Sequence, residues 1–415
     1  MERGIHLGLV EFVKNKSVLR TSLLLLSTCL LLGSLTGLFF DFFYGDANGV
    51  VAGFSMDTRL WSILRWVSFI ILLGIGFSSK IRWIPNLALS ILSLVLVGYL
   101  VEFVCGVILQ VKATQAGPAI KGPTHSMQLD STLGYKPEAN RQLEGVKTRG
   151  QDTLYAIRYA TNAHSLRITP LDDTTRKRTQ FVQFFGCSMT FGEGVESHQT
   201  MPYYFGKLIP KYQPYNLAYS GYSPAQALAR LESGNLPQMI EEKSGIGFFV
   251  YIPDHINRVV STMSHYVYNE GNAPYYVLEN GQLVRKGLFK THRVQVNRLY
   301  ELLLQSNLMK LFQIGLPFRL TSEHTELTAE VLHQAAATFE AQFPGSPFYV
   351  ILYPTTTDNT EIKTRLVKKG VKVLDYSTLF NPKDRTFAIP FDEHPTPLAN
   401  EVLIKRILQD LKLID

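Results

Sequence analysis

The chain has 415 residues, 46% of them hydrophobic, and 41 Lys and Arg against 34 Asp and Glu give a formal charge of +7. That length accommodates two or three units of ordinary domain size. Three cysteines leave little for intrachain disulfides, and no basic-aromatic interleaving, internal repeat, collagen-like or prion-like tract is present, so nucleic acid is not an expected partner.

The mean hydropathy is slightly positive, and the excess sits in roughly the first 110 residues. Residues 22–40 form an uncharged, Leu-rich run of nineteen, long enough to cross a bilayer core. The run is too long for a signal-peptide core, and no small-residue cleavage site follows it. Residues 66–79 form a shorter run that reaches spanning length only when extended back to Leu60, taking in Arg65; residues 83–109 form a third, which includes Glu102. The reading is a membrane domain, 1–111, with spans at about 20–42, 60–79 and 83–110. Arg3, Lys14, Lys16 and Arg20 precede the first span, and Lys80 and Arg82 occupy the turn between the second and third. The loop before the second span is acidic, with Asp41, Asp46 and Asp57 against Arg59. The excess of Lys and Arg on one side sets the N-terminus inside and everything after Lys112 outside. Charges at the depth of Arg65 and Glu102 are expected either to pair between spans or to snorkel to the outer interface.

Residues 112–150 are rich in Gly, Pro and polar residues and read as a linker. "TLYAIRYATNAHSLRI" alternates like strands of a small flanking hairpin, so 112–180 is linker and flanking strands. From Phe181 onward, strand and helix patterns alternate, which calls for a parallel sheet with crossover helices. The strands are "FVQFFG", "YNLAYSG", "IGFFVYI", "PFYVILYP" and "VKVLDY", and the closing amphipathic helix is entered through Pro395 and Pro397. An insert at about 261–345 carries a hairpin signal with Asn280-Gly281 at its turn and helices around 295–312 and 327–343, read as a cap.

Ligands of open α/β sheets bind beyond the carboxyl ends of the strands. Those ends carry Gly186-Cys187-Ser188, Ser220-Gly221 and Asp254-His255-Ile256-Asn257-Arg258, and Asp392-Glu393-His394 precedes the last helix. Acyl transfer needs a hydroxyl nucleophile, a base, a carboxylate to fix the base and N–H donors for the oxyanion. Ser188, His394 and Asp392 fit the first three roles. The backbone N–H groups of Ser188 and Gly221 fit the fourth, with a side-chain donor from "DHINR". Asp254 and Arg258 also suit an ordinary surface ion pair. Zinc held by His255, His394 and Asp392 lacks ligand spacing, so neither metal nor cofactor is expected.

In that order, these blocks resemble the SGNH, or GDSL-like, hydrolases over roughly 181–415. The family's Gly-Asp-Ser appears as Gly186-Cys187-Ser188, its second-block glycine as Gly221, and its Asp-x-x-His as Asp392-Glu393-His394 with one residue fewer. A short Asp-x-His pairing also occurs in membrane-associated polysaccharide O-acetylation relatives. The third block, usually Gly-x-Asn-Asp, is not clearly present: His255 falls near the family's Asn by spacing, and Asn257 is the only Asn in the stretch, so either fits the third oxyanion donor. The resemblance implies that Cys187 points away from the pocket and supports the turn. It implies a three-layer α/β/α, flavodoxin-like domain, which here follows the three transmembrane helices read from the hydropathy. The implied activity is a serine esterase, with acetyl ester hydrolysis or O-acyl transfer on an acylated envelope glycan or lipid. The expected setting is a bacterial inner membrane, with the bilayer as a partner and the domain in the periplasm. The competing class is an inactive SGNH-like module that binds a glycan or lipid or scaffolds an envelope complex.

Overall fold

The structure is a computed structural model and describes residues 59–81, 83–115, 120–121, 127–171 and 177–414, with scattered positions in 21–32 and 50–55. The first expected span, 20–42, therefore lies mostly outside the described residues. The chain divides into two units, Met1–Thr114 with Val294–Ile314, and Gln115–Arg293 with Gly315–Asp415.

In the first unit, α1 (Arg59–Phe77) and α2 (Trp83–Gln115) follow the two remaining apolar runs. Only α2 is long and apolar enough to cross a membrane among the described residues; its 33 residues extend about 50 Å at helical rise. The apolar part of α1, Trp66–Phe77, is shorter. The Trp66 and Tyr99 rings, 5.7 Å apart, join the two helices. The helices Val294–Leu303 and Asn307–Leu311 belong to this unit, although the sequence reads them as part of the cap. The Glu102 carboxylate accepts hydrogen bonds from Ser306 Oγ and from the Asn307 N–H at 2.7 Å. A polar partner for Glu102 thus comes from a segment some 200 residues later in the chain. The Arg65 side chain lies outside the described residues.

The second unit holds the parallel sheet. Its strands are β3 (Gln180–Phe185), β4 (Tyr212–Asn216), β5 (Gly245–Tyr251), β6 (Phe348–Leu352) and β7 (Lys372–Asp375), preceded by the antiparallel hairpin of β1 (Gln142–Arg149) and β2 (Asp152–Ala160). The sheet order is β7-β6-β5-β3-β4, every pair parallel. Counted from the first parallel strand this is 2-1-3-4-5, the flavodoxin-like winding, and its crevice opens where β3 and β5 send their connections to opposite faces. β4 begins and ends earlier than the sequence pattern suggests. It is an edge strand, where Pro214 is tolerated, and "LAYSG" continues as a loop beyond it.

Helices cover both faces. Phe181, Phe185, Phe249 and Tyr251 pack under α5 (Pro224–Glu232), α7 (Ser322–Gln342) and α8 (Thr360–Lys368), through Leu228, Leu231, Leu332, Phe339 and Leu366. The alternate residues Val182, Phe184, Phe248 and Val250 pack under α4 (Met201–Leu208) and α9 (Pro397–Asp410), through Phe205, Leu403 and Ile407. Burial on both faces explains why β5 reads as an unbroken apolar run. Two short helices, α3 (Ser188–Phe191) and α6 (His255–Val260), follow β3 and β5. Ser322–Gln342, which the sequence places in the cap, is thus a layer-forming helix. The Asn280-Gly281 hairpin joins Pro274–Glu279 to Gln282–Leu288 as expected from its turn residues.

Phe339 is fully buried, and its ring meets Phe181, Phe343 and Phe348. Phe339→Ala is expected to cost about 3–5 kcal/mol, read as a lowered denaturation midpoint of the purified full chain.

Candidate active site

The site begins with the turn after β3. Gly186 has φ +151°, and a Cβ there would lie 2.3 Å from Thr190 Oγ1, so a larger residue would displace the turn. Cys187 then caps the four-residue helix α3 (Ser188–Phe191), which ends at Gly192 in the left-handed region. Cys187 is fully buried and does not line the cavity; Ser188 does.

Arg167 holds this turn from behind. Its guanidinium donates to the carbonyls of Phe191, Gly192 and Val195 at 2.9, 2.7 and 2.7 Å, and it lies over the rings of Tyr159 and Phe191. Burial pushes its pKa down to about 10, against Tyr159 and Glu196, so it stays charged at neutral pH. Nothing in the local sequence around Arg167 signals this role, because its acceptors lie about 25 residues away.

The second strand's loop brings Tyr219, Ser220 and Gly221 to the same cavity. Gly221 has φ +77°, and a Cβ there would meet the Tyr135 hydroxyl at 2.5 Å. That hydroxyl donates to the Ser220 carbonyl at 3.1 Å. Among the described residues, no protein acceptor takes the N–H of Ser188 or of Gly221.

The third part is the loop before α9. Ala388 bridges to Pro395, the Ile389 N–H donates to the His394 carbonyl, and Phe391 and Glu393 have φ of +63° and +66°. Such values are uncommon for residues other than glycine. The left-handed Glu393 folds the chain back within one residue, so Asp392 and His394 meet despite the short spacing. His394 Nδ1 lies 3.0 Å from Asp392 Oδ1. Lys147 of β1 donates to the same oxygen. Burial alone would raise the Asp392 carboxyl, but His394 and Lys147 hold it below the usual carboxylate range.

Ser188, Gly221, Asp392 and His394 line one cavity of about 680 Å³. Among the described residues none is hydrogen-bonded to Ser188 Oγ; such contacts often tighten only when substrate binds. Glu193, unremarked in the sequence, also lines the cavity. It accepts from Ser220 Oγ at 2.7 Å, and its carboxylate is 4.0 Å from His394 Nε2.

The third block is arranged otherwise than its sequence suggests. His255 opens α6 (His255–Val260) and is fully buried between the rings of Phe249 and Tyr251, with Nδ1 accepting from the Ile252 N–H at 3.2 Å. Asn257 donates to Asp254 Oδ1 at 3.1 Å. Neither residue lines the cavity; Asp254, Arg258 and His265 do. Among the described residues no cluster of three His, Cys, Asp or Glu side chains is placed to hold a metal ion.

No family model matches the chain, and no curated protein matches it. Solved structures do. An acetyl xylan esterase from Butyrivibrio proteoclasticus is 10% identical over 58% of this chain and 67% of its own, with a TM-score of 0.34. A lipolytic protein of the G-D-S-L family from Desulfitobacterium hafniense is 11% identical over 55% of this chain and 98% of its own, TM-score 0.28. An alpha/beta hydrolase from the metagenome of Lake Arreo is 12% identical over 58% and 98%, TM-score 0.32. At these identities and scores they say nothing of this chain's chemistry; strand order and the placing of the blocks decide the fold. The second unit has an SGNH-hydrolase-like fold.

In this SGNH-like domain, the Asp392 carboxylate is the link between flanking hairpin and site. Its depressed pKa means that its contribution to stability is present above the ordinary carboxylate range and is lost as the pH falls through its folded value. Lys147→Met removes one of the two partners that hold the carboxylate in its charged form and raises that value. Thermal unfolding followed from about pH 7 to about pH 3 should therefore show the variant losing stability at a higher pH than wild type.

Proposed function

We propose that the second unit is a serine-dependent ester hydrolase or acyltransferase acting on the outer face of a bacterial inner membrane. The observation that carries the reading is the convergence of Ser188, the unengaged N–H groups of Ser188 and Gly221, and the Asp392–His394 pair on one cavity. Ser188 Oγ attacks the acyl carbonyl while His394 Nε2 takes its proton. Asp392 fixes the ring through Nδ1 and steadies the imidazolium. The carbonyl oxygen, now an oxyanion, accepts from the two backbone N–H groups. As the tetrahedral species collapses, His394 returns the proton to the leaving alcohol and Ser188 keeps the acyl group. Water then releases the acid, or a second hydroxyl takes the acyl group, by the same steps in reverse.

The outer placement rests on the Lys and Arg distribution around the spans and on α2, which has the length and composition to anchor the domain. An acylated glycan or lipid of the envelope is the substrate class that such a site would reach. Hydrolysis of a short aryl acetate by the purified full chain, with fluorophosphonate labelling, tests the reading. Ser188→Ala should abolish labelling, and His394→Ala should lower turnover by at least about 10²-fold. A folded wild-type protein that neither labels nor hydrolyses would instead favour a binding module. Hydroxyl acceptors should speed turnover only if transfer is the natural outcome.

A further inference from the structure

Ser188 and Gly221 supply two backbone donors to the oxyanion, and a site of this kind is strengthened by a third. By sequence, the segment after β5 offers His255 or Asn257 for this role, but His255 is packed between two aromatic rings and Asn257 is spent on Asp254. Asp254 faces the cavity as an acceptor only. Of "DHINR", this leaves Arg258 as the donor on the cavity wall.

Arg258 is held at two points. Its Nε donates to Asp254 Oδ2 at 2.7 Å, one helical turn back, and Nη1 donates to the Tyr222 carbonyl at 3.0 Å. The second anchor is the residue directly after Gly221, so the guanidinium is tied to the loop that presents one oxyanion N–H. The first anchor ties it to the end of β5, which runs beside β3 and hence beside the Ser188 turn. Tyr135, whose hydroxyl is bonded to the Ser220-Gly221 turn, lines the same cavity as Ser188, Gly221 and Arg258. Nη2 and the second Nη1 hydrogen have no protein acceptor among the described residues. The side chain is only 12% exposed, so its charge acts with little screening. His265 on the same wall is kept neutral, pushed down to about 4 by burial and by Arg258, against Asp254.

We propose that Arg258 is a catalytic residue that donates from its guanidinium to the oxyanion of the tetrahedral intermediate, in the place of a neutral amide side chain. The inference rests on the serine-esterase reading above. It gives the Asp254–Arg258 pair a function beyond a surface ion pair. Asp254 aims the guanidinium, and the full positive charge meets negative charge that develops only as the carbonyl is attacked.

The test uses the purified full chain and 4-nitrophenyl acetate, a small neutral ester with no anionic group for an arginine to recognise. Arg258→Met should lower kcat by roughly 10²–10³-fold with KM little changed. Fluorophosphonate labelling of Ser188 should slow in parallel, because that adduct also develops an oxyanion. Arg258→Ala should regain activity when guanidinium is added, a rescue that a merely structural role would not give. A folded Arg258→Met with wild-type kcat, or with a raised KM alone, overturns the proposal. Should Arg258→Met not fold, Arg258→Lys and the guanidinium rescue decide, and absence of both a kcat loss in the first and a rescue in the second also overturns it. If wild-type turnover does not depend on Ser188, the esterase reading fails and this proposal with it. If turnover depends on Ser188 but not on Arg258, this proposal fails alone.

Discussion

The candidate site depends on one contact, the 3.0 Å approach of His394 Nδ1 to Asp392 Oδ1. A single residue separates them, and that residue, Glu393, adopts a left-handed conformation. The loop is kept in that shape by the Ile389 N–H bond to the His394 carbonyl and by the bridge between Ala388 and Pro395. Lys147 reaches in from β1 to the same carboxylate oxygen, so the flanking hairpin is part of the candidate site and not merely a tether. The aspartate side chain is fully buried, and a buried carboxylate needs such partners to remain charged.

The sheet does the remaining positioning. A 2-1-3-4-5 parallel order sets the ends of β3 and β5 side by side, and both faces are closed by helices. Ser188 is thereby raised on a rigid strand end, and Arg167 fixes the turn behind it through three carbonyls. Neither β3 nor Arg167 lines the cavity. They set where the hydroxyl and the N–H groups can be.

Much of this was legible in the sequence, and the exceptions have physical causes. The alternation of apolar runs and amphipathic stretches revealed the parallel sheet, because two-sided burial leaves β5 without polar positions. Gly186-Cys187-Ser188, Gly221 and Asp392-Glu393-His394 stood out because glycines and chemically reactive residues clustered at strand ends. Lys147, Arg167 and Glu193 did not, since their partners are distant in sequence or their role exists only once the turn is folded. His255 and Asn257 looked like donors because spacing alone cannot tell which residues of a short helix are packed beneath it. Glu102 illustrates the same limit in the first unit: its partners, Ser306 and Asn307, are contributed by a segment whose composition reads as part of the other domain.

The most direct measurement is the mass of the protein's own peptides after brief reaction with an activated acetyl ester and acid quenching. The account predicts one acetyl group on the peptide containing Ser188. In the wild-type protein, the modified atom should be Ser188 Oγ. An acetyl group found instead on Cys187, or ester turnover with no acetylated Ser188 at any reaction time, would contradict it.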